Sequence, residues 1–181
     1  LKVHHSHYVM EVVSSSDYSI FYKVILCSIL FGLVSKLFSE LTGNLKKFFT
    51  KLIPKPYIKS FVGGCIVIII ALVLQTQIYL GLSLDLLQDA FENNVVGYAF
   101  LIKLILTSIT LATGFQGGEV TPLFVIGATL GNFLAPIINL PLSFLAGLGM
   151  VAVFCGGTKT PLASFIMGLE LFGSSNIKYI F

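Results

Sequence analysis

The chain has 181 residues, of which 56% are hydrophobic and 10% charged, with 11 basic and 8 acidic side chains and a net charge of +3. With a mean hydropathy of +0.96, it is far from a soluble composition, in which roughly a quarter of residues are charged, and it describes an integral, multi-pass membrane protein. Every basic residue is Lys, and the lysines are concentrated in one loop rather than interleaved with aromatics, which argues against a nucleic-acid partner.

Residues 1–17 are polar and are expected to form an extramembrane linker, with residues 18–181 making up the membrane domain. The chain opens on Leu1 and lacks a charged n-region before a cleavage site, so it is expected to be an internal piece of a longer polypeptide with no readable signal peptide. A window of about 20 residues gauges each crossing. Ile20 to Leu41 is the first predicted span, interrupted by Lys23 and Lys36 and expected to tilt. A loop with Lys46, Lys47, Lys51, Lys55 and Lys59 follows, with Pro54 and Pro56 breaking any helix. Phe61 to Leu80 is the second span. A short amphipathic helix at Leu82 to Leu87 and a polar loop from Gln88 to Asn94 lead to the third span, Val95 to Leu111, which carries Lys103. Glu119 to Ile138 is the fourth. Leu142 to Phe154 and Pro161 to Phe172 are too short to cross alone, and short Gly- and Pro-interrupted segments mark transporters with broken helices. The lysine asymmetry places the first loop in the cytoplasm and the Asp89/Glu92 loop outside.

The most informative residue is Glu119, set in Gly117-Gly118-Glu119-Val120-Thr121-Pro122 between apolar segments. An ionisable group at membrane depth costs at least ~3 kcal/mol and usually marks an ion or proton path. Pro122 suits the first position of the helix that follows, which makes Thr121 its expected N-cap. Free amides and the positive end of the helix dipole would then face whatever precedes it. Gly114, Gly117 and Gly118 let bare backbone approach a ligand. The combination describes an anion site with a proton carrier embedded in it.

These residues carry a resemblance. Gly114-Phe115-Gln116-Gly117-Gly118-Glu119-Val120-Thr121-Pro122 through Gly131 resembles the third anion-filter motif of the CLC chloride channel and transporter family with its following helix. Ala146-Gly147-Leu148-Gly149-Met150 and Thr160-Pro161-Leu162-Ala163 through Gly168-Leu169-Glu170 resemble the family's next two helices. The resemblance implies an all-α inverted-repeat bundle with tilted and broken helices, of which this chain supplies the second half without its final helix. Where chloride-type members show Gly-x-Phe-x-Pro, this chain has Gly118-Glu119-Val120-Thr121-Pro122, which is similar to the fluoride/proton antiporter branch of bacteria. By that resemblance the amides of Glu119 and Val120 face the anion, with Gly118 as part of the filter. Thr121 adds a hydroxyl, Glu119 couples protons, and Gly117 and Pro122 set the filter geometry. Fluoride is strongly hydrated, so a dry site needs hydroxyls or protonated acids to replace its water.

The resemblance implies fluoride or chloride ion and protons as what is carried, a plasma-membrane location in a bacterium, and a homodimer. No cofactor, metal or enzymatic activity is implied. The family's first-half filter segments, gating glutamate and last-helix tyrosine do not occur in this sequence, so the chain alone is not expected to transport. A chloride channel or chloride/proton exchanger of the same family, and a non-transporting truncated fragment, are the alternatives. An intramembrane enzyme would need a Gly-x-Ser-Gly with a membrane histidine or paired intramembrane aspartates, and neither occurs.

Plainer roles stand beside these. Glu119 as a buried acid donating one structural hydrogen bond is the alternative to proton coupling. Glu170 reads as a packing or helix-linking acid, and Lys103 as a lysine that snorkels from the outer third of its span. His4, His5 and His7, without a nearby acid or Cys, read as a solvated loop rather than a metal site. Cys27, Cys65 and Cys155 read as small buried hydrophobes.

Overall fold

The computed structural model describes Met10, residues 18–115 and residues 117–173. The histidine cluster and most of the expected N-terminal linker lie outside the described residues. Seven helices and no strand occur among them: α1 (Tyr18–Leu52), α2 (Pro56–Leu74), α3 (Leu84–Glu92), α4 (Ala99–Ala112), α5 (Val120–Ile138), α6 (Leu142–Thr158) and α7 (Pro161–Phe172). The all-helical expectation holds, and α7 has the predicted limits. Thr160 stands at its N-cap and Pro161 opens it, where a missing N–H leaves no bond unmade.

The limits of α1, α2 and α4 differ from the sequence expectation for identifiable reasons, and α3, at Leu84–Glu92 rather than Leu82 to Leu87, takes in part of the expected polar loop. The first helix runs on through Lys46, Lys47 and Lys51 and ends only at Leu52, before Pro54. Lysine is a good helix former, so a basic stretch is no barrier until the residue before a proline is pushed out of the α region. At 1.5 Å per residue this helix is about 52 Å long, well beyond a hydrocarbon core of about 30 Å. The second helix stops at Leu74, capped by Gln75 in the left-handed conformation, and residues 75–83 form a folded turn instead of completing the span. The helix carrying Lys103 begins only at Ala99 and has 14 residues. It is therefore too short to cross, and three helices among the described residues are long and apolar enough to do so: α1, α2 and α5.

The centre of the fold is the α5–α6 pair, flanked by α1, α3, α4 and α7. Phe31, Phe38, Leu104, Leu123, Ile126 and Phe144 fill one side of the core, and Leu86, Phe91, Val125 and Met150 fill the other. Backbones meet closely here: a Cβ at Gly127 would run into the carbonyl of Gly149, and one at Gly131 into the carbonyl of Leu145. Small residues permit this approach, and between helices in lipid such contact replaces the missing hydrophobic drive. Gly131→Val is accordingly expected to cost at least about 1–3 kcal/mol, because backbone cannot step aside as a side chain does. Thermal unfolding in detergent checks this; an unchanged midpoint would show that the helices do not meet at Gly131.

Outlying parts are tied in by polar groups. The buried Asn132 amide donates to the carbonyls of Ala90 (2.9 Å) and Asn93 (2.7 Å) and accepts from the Val95 N–H (3.0 Å), pinning the α3–α4 connection to α5. Cys27 is buried and Cys155 partly so, but Cys65 is exposed, contrary to the reading of all three as buried. The reason is α2 itself, of which only 6% of the apolar window is covered by the rest of the chain.

Candidate anion site

The glycine-rich segment is held from behind before it reaches the helix it precedes. Thr113 is fully buried at the end of α4, and the Ser60 hydroxyl of α2 donates to its carbonyl at 3.1 Å. Gly63 presses against the Thr113 side chain, a contact that no larger residue would allow. Gly114 then takes φ +97°, a conformation natural only to glycine, and Phe115 N–H reaches back to the Thr110 carbonyl. The chain thus leaves α4 in a defined direction.

The next helix starts earlier than the sequence suggested. Val120 is its first residue and Glu119 its N-cap, so Thr121 and Pro122 lie inside the first turn rather than at the cap and first position. Proline is tolerated there because N–H groups throughout the first turn lack an intrahelical partner. The first regular bond runs from the Leu123 N–H to the Glu119 carbonyl at 3.2 Å. Among the described residues, no acceptor stands against the N–H groups of Gly118, Glu119, Val120 or Thr121, and the Glu119 and Thr121 side chains have no hydrogen-bond partner. Glu119 and Val120 are exposed and Thr121 half-buried. What the sequence proposed as a site is therefore an array of unused donors and one unpaired carboxylate at the positive end of a core helix.

Behind it lies a cavity of about 330 Å³ that sequence reading did not find. Gly117, Gly118 and Pro122 line it on one side; Lys103, Thr107 and Thr110 line it on another, at the i, i+4, i+7 positions of one α4 face. Glu119, Val120 and Thr121 are not on its wall. Lys103 is 2% exposed and does not snorkel. Its ammonium donates to the carbonyls of Tyr79 (3.1 Å) and Gly81 (2.7 Å) and to the Ser83 hydroxyl (2.8 Å), using all three of its protons on the folded turn after α2. The early end of α2 is what brings these acceptors inward. The one ion pair among the described residues is Lys36–Glu40, so no carboxylate pairs with Lys103, whose side chain lines the same cavity as Gly117 and Gly118. Lys103, Thr107 and Thr110 could have been found in the sequence by their common helical face; the acceptors of Lys103 could not.

Glu170 is exposed on α7, without an ion pair among the described residues. A larger cavity of about 550 Å³ between α1, α6 and α7 is lined chiefly by Phe31, Leu148, Val151 and Leu162 and touches none of the filter residues.

Comparison with known proteins places the chain in a family. A protein of Pseudomonas syringae pv. tomato named chloride/fluoride channel protein is 42% identical over 176 residues, covering 93% of this chain and 39% of its own length. An uncharacterised protein of Methanocaldococcus jannaschii is 30% identical over 121 residues, 65% of this chain and 31% of its own. A crystal structure described as a CLC-type fluoride/proton antiporter matches with a TM-score of 0.90 and 32% identity, over 96% of this chain and 45% of that one. The chain thus spans less than half the length of these relatives. The voltage gated chloride channel family matches residues 2–180, and the chain belongs to that family.

Proposed function

We propose that the protein to which this chain contributes α1–α7 exchanges fluoride for protons across a bacterial plasma membrane, as a transporter rather than an enzyme. The observation that carries the reading is Glu119: an exposed carboxylate at the N-cap of a core helix, without a hydrogen-bond partner among the described residues. A structural acid would be buried against a partner. A proton carrier has to be reachable. The relatives support the choice of ion, since one is named a chloride/fluoride channel protein and the other described as a fluoride/proton antiporter. The N–H groups around Glu119 and the Thr121 hydroxyl supply the donors that a dehydrated fluoride needs.

The test is efflux of fluoride and of chloride from proteoliposomes holding the complete protein, with pH recorded at the same time. Fluoride efflux coupled to proton entry is expected; chloride efflux of equal rate without a pH change would overturn the reading in favour of a chloride channel. Thr121→Val should lower fluoride flux relative to chloride by about 10- to 100-fold, equivalent to about 1–3 kcal/mol for one lost donor. An unaltered ion ratio would remove Thr121 from the site. The complete protein is further proposed to be a homodimer with one anion path per subunit. Photobleaching of a labelled protein in lipid should show two steps, and single steps throughout would contradict it.

A further inference from the structure

We propose that the α1–α2 hairpin binds the phosphate headgroups of anionic phospholipids through Lys46, Lys47, Lys51, Lys55 and Lys59. No Asp or Glu occurs between Glu40 and Asp85, so nothing local offsets the five charges. Lys46, Lys47 and Lys51 project from the last turns of α1, Lys55 is the N-cap residue of α2, and Lys59 lies in the following turn. The first four are exposed, and none of the five is in an ion pair among the described residues. Lys59 donates to the Thr50 hydroxyl at 3.5 Å, which draws the two helix ends, and with them the lysines, together.

The surface is also apolar in a particular way. Phe48, Leu52 and Tyr57 are 59%, 63% and 67% exposed between the lysines, and Phe61, just beyond the last of them, is 73% exposed. The expectation that these lysines are not interleaved with aromatics into a patch is thus corrected, because continuing α1 to Leu52 sets both kinds of side chain on one hairpin. Aromatic rings at headgroup level beside lysines whose stems lie along apolar surface are the pattern of a membrane interface. With α1 about 52 Å long, its terminal turns must lie at or beyond the edge of a hydrocarbon core of about 30 Å.

Charge selects among possible occupants. A zwitterionic headgroup offers no net attraction, whereas lysines near an anionic leaflet are drawn to its negative surface potential. Lys55 and Lys59 also stand at the positive end of the α2 dipole with no acid in its first turn, an arrangement that an anion relieves. The proposal does not depend on which ion is transported.

The complete protein, reconstituted in nanodiscs, would be probed with spin-labelled phosphatidylglycerol and phosphatidylcholine, reading the motionally restricted fraction of each. Phosphatidylglycerol should be enriched by about tenfold, falling towards parity in the variant with all five lysines replaced by Gln. Should that variant fail to fold, K46Q/K47Q alone, which leaves the Lys59–Thr50 contact intact, should lower the enrichment several-fold. Lys159→Gln, at the α6 C-cap, should leave it unchanged. Equal restriction of both lipids by the native protein, enrichment that survives the substitutions, or displacement of the phosphatidylglycerol by soluble polyphosphate at low millimolar concentration would each overturn the assignment.

Discussion

Replacing Glu119 by Gln in the complete protein should abolish proton movement coupled to fluoride. Glutamine keeps the size of the side chain and can donate a hydrogen bond, but it cannot change charge, so any fluoride flux that survives should lose its pH dependence. The change is also structurally mild. Glu119 is exposed and caps α5 through its backbone carbonyl, which accepts from Leu123, so its side chain is not needed to start the helix. Fluoride efflux with simultaneous pH recording separates the outcomes. Coupled proton transport retained at the native rate by Glu119→Gln would show that this acid is not the carrier, and the fluoride assignment would lose its main support.

Replacing Lys103 by Met should damage both stability and transport. Two carbonyls, of Tyr79 and Gly81, and the Ser83 hydroxyl lose their donor together, and an unsatisfied buried polar group costs about 1–3 kcal/mol. Since Ser83 also donates to the Leu80 carbonyl at 3.2 Å, the turn from Tyr79 to Ser83 should loosen as a unit. The ammonium group that lines the cavity with Gly117 and Gly118 goes as well, and an anion entering there would lose its attraction. Lys103→Arg distinguishes the two effects: it keeps the charge while misplacing the donors, so it should recover flux more than thermal stability. If Lys103→Met melted and transported like the native protein, the buried network would carry neither role.

Features held within a short stretch of sequence were legible before the structure. Apolar runs located the helices, and Thr160-Pro161 gave the start of α7, because a first-turn proline acts through its own ring and missing N–H. The same reasoning placed the α5 start at Pro122 and missed by two residues. A proline is acceptable anywhere in the first turn, so its presence bounds a helix start without locating it, and Glu119 and Val120 turn with the helix. The basic stretch at Lys46 to Lys51 was misread in the opposite sense: its charge indicates where solvent lies, whereas helix continuation depends on propensity, which lysine satisfies.

By itself the sequence determined that this is a membrane protein of helices, some too short to cross, with a carboxylate among glycines at a helix start. Composition, apolar run length and local backbone preference set those features, and each acts over a few residues. Only the tertiary structure decided what surrounds that start. The acceptors of Lys103 lie 20 to 24 residues away, the Ser60 hydroxyl 53 residues from the carbonyl it holds, and the Asn132 amide 37 to 42 residues from its partners. Hydrogen bonding in an apolar interior is too costly to leave unmade, so these groups find one another, but which ones do so follows from where α2 stops and how closely α5 meets α6.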